Sequence, residues 1–352
     1  MRLIPLTVLS LLPAAAAAQQ QLPRLEPVTR IGCVDCEGPA LFAGVRTLAV
    51  HDDRIYVIDR AAPFVRIFGT DGRVVRAFAR AGSGPGDLRL AISIAPRARG
   101  ELEVFDMTLG RFTRYDSTGT AIGTRQQNGG FTAVAVSAPG SGHTWLLQTD
   151  FRSTDQPLLR VADGATEATG TVTLRADFPR LEPGEPARTP AVAADFRGGF
   201  AVGDGIAEYR IRRYDADGRS LGDIVRTIPK QRKTAAELDV ERERMQRRVA
   251  RMADMQRAES GRAAAPSFTP REERNHFNMD ALAFDESGRL WVRTERGGLD
   301  ATIFDLFDAD GRYLGELRVP MRVGTYALGG GWLAGKVVDD DEVEFVQLWR
   351  VR

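Results

Sequence analysis

A recurring hairpin phrase constrains this chain more than any other feature of its sequence. Two apolar stretches flank a turn containing Asp-Gly or Thr-Gly in RIFGTDGRVV (66–75), TRYDSTGTAI (113–122), RRYDADGRSL (212–221) and DLFDADGRYL (305–314). A degraded fifth copy, LRVADGATEA, occupies 159–168. Turns of this composition accept the positive φ that tight hairpins require, so each copy predicts a β-hairpin.

A further strand-like run, rich in aromatic and β-branched residues, precedes each of the five hairpins, and a sixth such run lies near the C-terminus. These runs are IYVID (55–59), LEVFD (102–106), TWLLQ (144–148), FAVGD (200–204), LWVRT (290–294) and WLAGK (332–336). Most of them follow one more short apolar strand, such as GVRTLAV or MDALAFD. Four short strands within about 40–50 residues are the size of a propeller blade. The sequence therefore predicts an all-β fold, a six-bladed β-propeller.

The first of these units has the most specific pattern. Residues 54–88, RIYVIDRAAPFVRIFGTDGRVVRAFARAGSGPGDL, resemble an NHL-type repeat, with GSGPGDL (82–88) as the glycine-rich turn that ends the blade. The resemblance implies an exported six-bladed propeller of the NHL-like superfamily, a fold that hosts binders and enzymes alike. The Gly-His and Trp-Asp signature of WD40 repeats is absent.

The start of the chain has the pattern of a secretory signal peptide, residues 1–18. Arg2 precedes an apolar run, and Ala16 and Ala18 offer a cleavage site. We expect residues 19–352 to form the propeller in the periplasm or outside the cell, without a membrane span. The net charge of +1 provides no basic field for nucleic acid, and we expect a monomer.

The two ends of the chain complement each other. LEPVTRIG (25–32) has the pattern of an outer strand without a blade, whereas EFVQLWRVR (344–352) ends without an outer strand. We predict that the N-terminal strand closes the last blade, because ring closure removes two free sheet edges at once.

Cys33 and Cys36 follow this strand and are the only cysteines of the chain. Exported cysteine pairs tend to form disulfides. A thioredoxin-like pair would open a helix, a zinc site would need two further soft ligands, and haem attachment would need a His where Glu37 stands. We predict a local disulfide, with free thiols, redox chemistry and metal binding as alternatives.

One interval breaks the repeat spacing, because the second strands of the fourth and fifth units start 90 residues apart. The composition places a helical insertion at 230–275, between blades four and five. Thr234 and Glu237 form a capping box at the start of a helix. TPREERNHF (269–277) predicts a second, shorter helical turn with Thr269 as its N-cap.

The inserted helix has an apolar stripe, formed by Leu238, Met245, Val249 and Met252. Such a stripe either packs on the propeller as a lid or presents a Met-containing surface to a partner. Met245, Val249 and Met252 are therefore candidate ligand-binding residues.

Asp59, Asp106 and Asp204 end the second strands of their units at matching places. A repeated Asp there either accepts backbone N–H groups in a turn, which we favour, or helps to hold a hard cation such as Ca²⁺ at the channel mouth. All three are candidate ligand-binding residues. The acidic run DDDE (339–342) is favoured as a solvated turn, with the alternative of metal ligands at Asp339, Asp340 and Asp341.

Nothing in the sequence indicates a catalytic constellation. The three histidines, at positions 51, 143 and 276, show no spacing that would bring them together on a metal. No Gly-x-Ser-x-Gly elbow, phosphate loop or HExxH motif occurs. We expect no catalytic residue and no cofactor, with Ca²⁺ as the exception to be tested.

The favoured function is a non-catalytic exported propeller that binds a protein, peptide or glycan through its loops and the helical insertion. The alternative is a metal-dependent, lactonase-like lyase or hydrolase that uses carboxylates at the channel mouth. A third interpretation is a structural module of a cell-envelope assembly.

Overall fold

The computed structural model shows six four-stranded antiparallel sheets, which confirms the predicted six-bladed β-propeller. It describes residues 22–33, 35–127, 132–148, 155–165, 167–175, 189–260, 270–339 and 342–352. The predicted signal peptide lies outside the described residues. Among the residues that are described, no helix is both long and apolar enough to cross a membrane.

The strands follow the blade order in the chain. Blade 1 contains β2 (Val45–His51), β3 (Arg54–Asp59), β4 (Val65–Gly69) and β5 (Val74–Phe78), and blade 2 contains β6 (Ala91–Pro96), β7 (Leu102–Asp106), β8 (Arg111–Tyr115) and β9 (Ala121–Gln126). Blade 3 contains β10 (Thr132–Val136), β11 (His143–Gln148), β12 (Asp155–Ala162) and β13 (Gly170–Arg175), and blade 4 contains β14 (Ala191–Ala194), β15 (Phe200–Gly203), β16 (Tyr209–Tyr214) and β17 (Ser220–Arg226).

The last two blades flank the closure of the ring. Blade 5 contains β18 (Phe277–Phe284), β19 (Leu290–Thr294), β20 (Thr302–Phe307) and β21 (Tyr313–Val319). Blade 6 contains β22 (Val323–Gly329), β23 (Trp332–Val338), β24 (Glu344–Val351) and the N-terminal strand β1 (Leu25–Ile31). β1 pairs antiparallel with β24 from Leu25 opposite Val351 to Ile31 opposite Val346, so the predicted closure is confirmed.

Four of the five hairpin phrases form turns of one kind, in which the turn glycine donates its N–H to the carbonyl oxygen three residues earlier. In each of the five phrases one glycine has φ between 78° and 85°, which explains why glycine recurs there. In three of the four similar turns, an Asp at the start of the turn accepts backbone N–H groups; Asp116 Oδ1, for example, accepts from Thr118 at 2.8 Å and from Thr120 at 3.0 Å. The sequence repeat therefore reflects a repeated folding requirement.

Within the described part of the chain, six buried apolar clusters hold the blades together, and each joins two neighbouring blades. Between blades 5 and 6, for example, Phe304 packs edge-on against Tyr326 with ring centroids 5.1 Å apart. Ile31 of β1 belongs to the cluster between blades 6 and 1. Each blade is thus stabilised by its neighbours, as expected of radial repetition.

The insertion contains one helix, α1 (Ala235–Ser260), between blades 4 and 5. Its capping box is confirmed: Thr234 N donates to Glu237 Oε2 at 2.7 Å, and Glu237 N donates to Thr234 Oγ1 at 3.3 Å. The expectation of a second helical turn is wrong for the described residues 270–277, and Thr269 lies outside them. There the returning chain is extended and pairs with residues 231–233, because its backbone bonds across the insertion rather than along itself.

Candidate functional site

One end of the ring gathers the loops that differ from blade to blade. In a four-stranded antiparallel blade, the connection after the second strand and the connection from the outer strand to the next blade lie at the same end. We call this end the loop face. It contains the Cys33–Cys36 segment, the turn 82–88 and the insertion with α1.

The predicted disulfide between Cys33 and Cys36 is confirmed, with an S–S distance of 2.02 Å. The loop that follows it is anchored to blade 1 by Arg66, whose Nη1 donates to the carbonyl oxygen of Pro39 at 2.9 Å. The same guanidinium donates through Nε to the carbonyl oxygen of Pro63 at 3.1 Å. A buried arginine therefore ties two loops of this face together.

Asp59 lies at the end of β3 and is 1% exposed. Its carboxylate accepts backbone N–H groups from Ala43 at 3.1 Å, from Gly44 at 3.4 Å and from Ala61 at 2.9 Å. Arg66 lies 3.4 Å from the same carboxylate. The side chain thus fastens the entry to blade 1 to the loop after β3.

Asp106 repeats this arrangement in blade 2. Its carboxylate is fully buried and accepts backbone N–H groups from Arg89 at 2.6 Å, from Leu90 at 2.8 Å and from Leu109 at 2.9 Å. Asp204 makes a smaller version, a bond from Ile206 N at 3.0 Å. Carboxylate oxygens that accept hydrogen bonds from backbone N–H groups have fewer lone pairs left to bind a metal ion.

The acidic run at 339–342 is partly described. Asp339 accepts a hydrogen bond from Val343 N at 2.9 Å and pairs with Arg30 at 2.8 Å, whereas Asp340 and Asp341 lie outside the described residues. Among the residues with described positions, no three His, Cys, Asp or Glu side chains form a group that could hold a metal ion.

The three histidines occupy separate environments. His51 Nε2 lies 3.4 Å from Asp52, and His276 lies edge-on to Tyr209. The ring nitrogens of His143 each lie 2.9 Å from a carbonyl oxygen, that of Ser141 and that of Gly198 in blade 4. Burial lowers the pKa of His143. It is a contact between blades 3 and 4.

α1 extends over the loop face from blade 5 to blade 6. At its base, Lys233 N donates to the carbonyl oxygen of Glu272, and Arg274 pairs with Glu237 at 2.7 Å. About three turns further along, Arg247 lies 3.3 Å from Glu342, in the loop between β23 and β24. The helix is therefore held at its first turn and again at blade 6.

The apolar stripe of α1 is only partly covered. Leu238, Met245 and Val249 are half-buried, while Gln246 and Ala250 are exposed, which confirms that the described part of the stripe forms one side of the helix. No described side chain of α1 is fully buried. The side chain of Met252 lies outside the described residues.

The first strands of the six blades line the central channel. Its cavity of about 160 Å³ is lined by residues of all six first strands, among them Leu48, Ile94, Val136, Val192, Leu282 and Leu328.

Sequence reasoning missed one charged residue at the channel mouth. Arg46 lies where the pairing of β2 and β3 is irregular, between Val45 and Thr47. Burial and the nearby Arg60 lower the pKa of Arg46, which makes no ion pair with any described residue. In the sequence, Arg46 could have been noticed as the single charged residue in the otherwise mostly apolar strand GVRTLAV.

The comparisons with known proteins agree with this architecture. A family model described as a six-bladed beta-propeller matches residues 38–151. A member of the DUF4221 family from Bacteroides vulgatus has 10% identity and a TM-score of 0.51, over 95% of this chain and 99% of that one. The chain is thus a six-bladed β-propeller.

Two enzymes are among the similar structures. A gluconolactonase from Xanthomonas campestris has 12% identity and a TM-score of 0.48, over 94% of this chain and 100% of its own. Virginiamycin B lyase from Staphylococcus aureus has 11% identity and a TM-score of 0.47, over 95% and 96%. At such identities the likeness concerns the fold alone. A comparison with curated protein sequences found no match.

Proposed function

We propose that this propeller is a non-catalytic binding protein that takes up a protein or peptide segment on its loop face, with α1 as part of the binding surface. We also propose that it acts outside the cytoplasm, in the periplasm or beyond the cell. The Cys33–Cys36 disulfide supports that location, because such bonds persist in oxidising compartments.

The half-covered stripe of α1 is the observation that carries the proposal. The helix is fixed in place by ion pairs through Glu237 and Arg247, yet Met245 and Val249 are not fully covered by the propeller. Apolar side chains that a partner can still cover are a source of binding free energy. Methionine adapts to varied partners, and an apolar stripe suits protein side chains better than the hydroxyl groups of a glycan.

The environment of the strand-end carboxylates favours binding over metal-dependent catalysis. Asp59 and Asp106 each accept three backbone N–H groups, so both serve the folding of the loop face. A catalytic calcium ion would have to compete with those bonds. The alternative of a metal-dependent lyase or hydrolase therefore has less support.

Selection of peptides on the purified protein tests the proposal. Peptides from a displayed library would be selected on the wild type and measured by calorimetry against two double variants. Met245→Asp with Val249→Asp places charges on the stripe, whereas Gln246→Asp with Ala250→Asp places the same charges on exposed positions. We expect at least tenfold weaker binding for the first pair and binding within twofold of wild type for the second. Equal effects of the two pairs, or no selected peptide, would contradict the proposal.

A further inference from the structure

The face opposite to the loop face has a charged cleft between blades 2 and 3. Its volume is about 410 Å³, within the range of about 300–1,000 Å³ that is typical of small-molecule sites. We call it the charged cleft and define it by its ionisable lining residues: Arg97, Arg99, Glu101, Glu103, Arg114 and Asp163.

The floor of the charged cleft is built from both blades. Arg97 is 7% exposed and Glu103 is 4% exposed. Arg97 Nη2 lies 2.6 Å from Asp163 of blade 3, and Nη1 donates to Ser137 Oγ at 3.1 Å. Glu103 also pairs with Arg125 at 2.8 Å. Buried groups with several partners have fixed positions, so this floor is preorganised.

After all ion pairs of the charged cleft are counted, one arginine has no carboxylate partner. Arg97 and Arg125 compensate Glu103 and Asp163, and Arg114 compensates Glu101. The remaining arginine, Arg99, makes no hydrogen bond or ion pair with any residue that the structure describes. The cleft, together with Arg125 behind it, therefore has a net charge of one positive unit.

The backbone conformation of Arg99 indicates that an arginine is not required to form this turn. Arg99 has φ 62° and the following Gly100 has φ 74°. The corresponding turns of blades 1 and 6 hold Asp52-Asp53 and Gly330-Gly331, which are residue types that tolerate positive φ. An arginine is strained in this conformation, and such strain concentrates at functional sites.

We propose that the charged cleft binds a small hydroxylated carboxylate, of the size of a sugar acid. Arg99 supplies the uncompensated guanidinium for the carboxylate, which an arginine can bind through two parallel hydrogen bonds. Glu101 and Asp163 are 23% and 33% exposed at their side chains, so their outer oxygens can accept hydrogen bonds from hydroxyl groups. This site is separate from the binding surface on α1.

Calorimetry with D-glucuronate as the probe tests this site, with D-glucose as the neutral ligand of matching hydroxyl pattern. Three proteins would be compared: the wild type, Arg99→Gly, and Arg73→Gly as a control that removes an exposed arginine from the same face. We expect the wild type and the control to bind glucuronate at least tenfold more tightly than Arg99→Gly does. We also expect glucose to bind at least tenfold more weakly than glucuronate.

The choice of glycine separates loss of binding from loss of folding. Glycine fits the left-handed conformation at position 99, so the melting temperature of Arg99→Gly should equal or exceed that of the wild type. Absence of glucuronate binding to the wild type would overturn the proposal. Equal affinities of the wild type and Arg99→Gly, or of glucuronate and glucose, would overturn it as well.

Discussion

Arg274 and Glu237 form a two-point ion pair across the base of the insertion. Arg274 Nε lies 2.8 Å from Glu237 Oε1, and Nη2 lies 2.7 Å from Oε2. The pair joins the chain that returns to blade 5 to the first turn of α1. Because Glu237 also completes the capping box, one carboxylate both starts the helix and fixes it to the propeller.

This pair gives the insertion a defined pH dependence. Hydrogen bonding from Arg274 lowers the pKa of Glu237 from 4.5 to about 2. The carboxylate is ionised in the folded protein at pH values where it would be protonated in the unfolded chain. Its contribution to stability is therefore complete above about pH 4.5 and is lost as the pH falls towards 2.

Amide hydrogen exchange of α1, corrected for intrinsic rates, measures this effect. We expect protection of the first turn to fall between pH 4.5 and 2 in the wild type. In Glu237→Gln the protection should be lower at pH 6 and depend less on pH. Glu243→Gln, on the exposed side of the helix, is the control. An unchanged pH profile in Glu237→Gln would refute the assignment.

The strand-end carboxylates should matter for stability. Asp106→Ala leaves three backbone N–H groups without their acceptor, so we expect a loss of about 1–3 kcal/mol in the free energy of unfolding. Asp59→Ala should cost at least as much, because it also leaves the buried Arg66 without the neighbouring carboxylate. Asp204→Ala, which removes one such bond, should cost less than about 1 kcal/mol. Urea denaturation measures all three, and equal losses across them would be inconsistent with the observed bonding.

The closing strand should contribute more than the disulfide. The Cys33–Cys36 bond closes a very short loop, so replacing both cysteines by serine should cost at most about 2 kcal/mol. Ile31→Ala, in the core between blades 6 and 1, should cost about 2–5 kcal/mol. Val28→Ala, at an exposed position of the same strand, is the control. A larger loss from the cysteine variant than from Ile31→Ala would reverse this order.

Metal removal provides an independent check. Because Asp59 and Asp106 already bind backbone groups, we expect the melting temperature of the metal-free protein to change by less than about 1 °C on addition of calcium. Thermal denaturation with EDTA and with millimolar CaCl₂ measures this. A stoichiometric divalent ion by elemental analysis, with a melting temperature that falls on chelation, would revive the metal-dependent alternative.

The architecture could be predicted from the sequence because short local patterns encode it and recur in each blade. Each Asp-Gly turn and each apolar run is a short pattern, and their spacing gave the six blades. The closure of blade 6 followed from an unmatched strand at each end. The capping box at Thr234 and Glu237 is equally local, which is why it was predicted correctly.

The details of the candidate sites depend on pairings that no local pattern encodes. Arg247 pairs with Glu342, which is 95 residues away in the sequence. Arg97 of blade 2 pairs with Asp163 of the neighbouring blade 3. The extended course of residues 270–276 arises from pairing with the outgoing chain, which overrode the helical signal of TPREERNHF. Such contacts are set by the ring as a whole.

Photo-crosslinking in the host organism tests the central claim most directly. A photoreactive amino acid would replace Met245 in one protein and Gln246, on the exposed side of α1, in another. We expect position 245 to give cross-links to a partner polypeptide, identified by mass spectrometry, and position 246 to give several-fold fewer. Cross-links from position 245 that reach only the propeller's own loop face would contradict the account, because α1 would then be a lid.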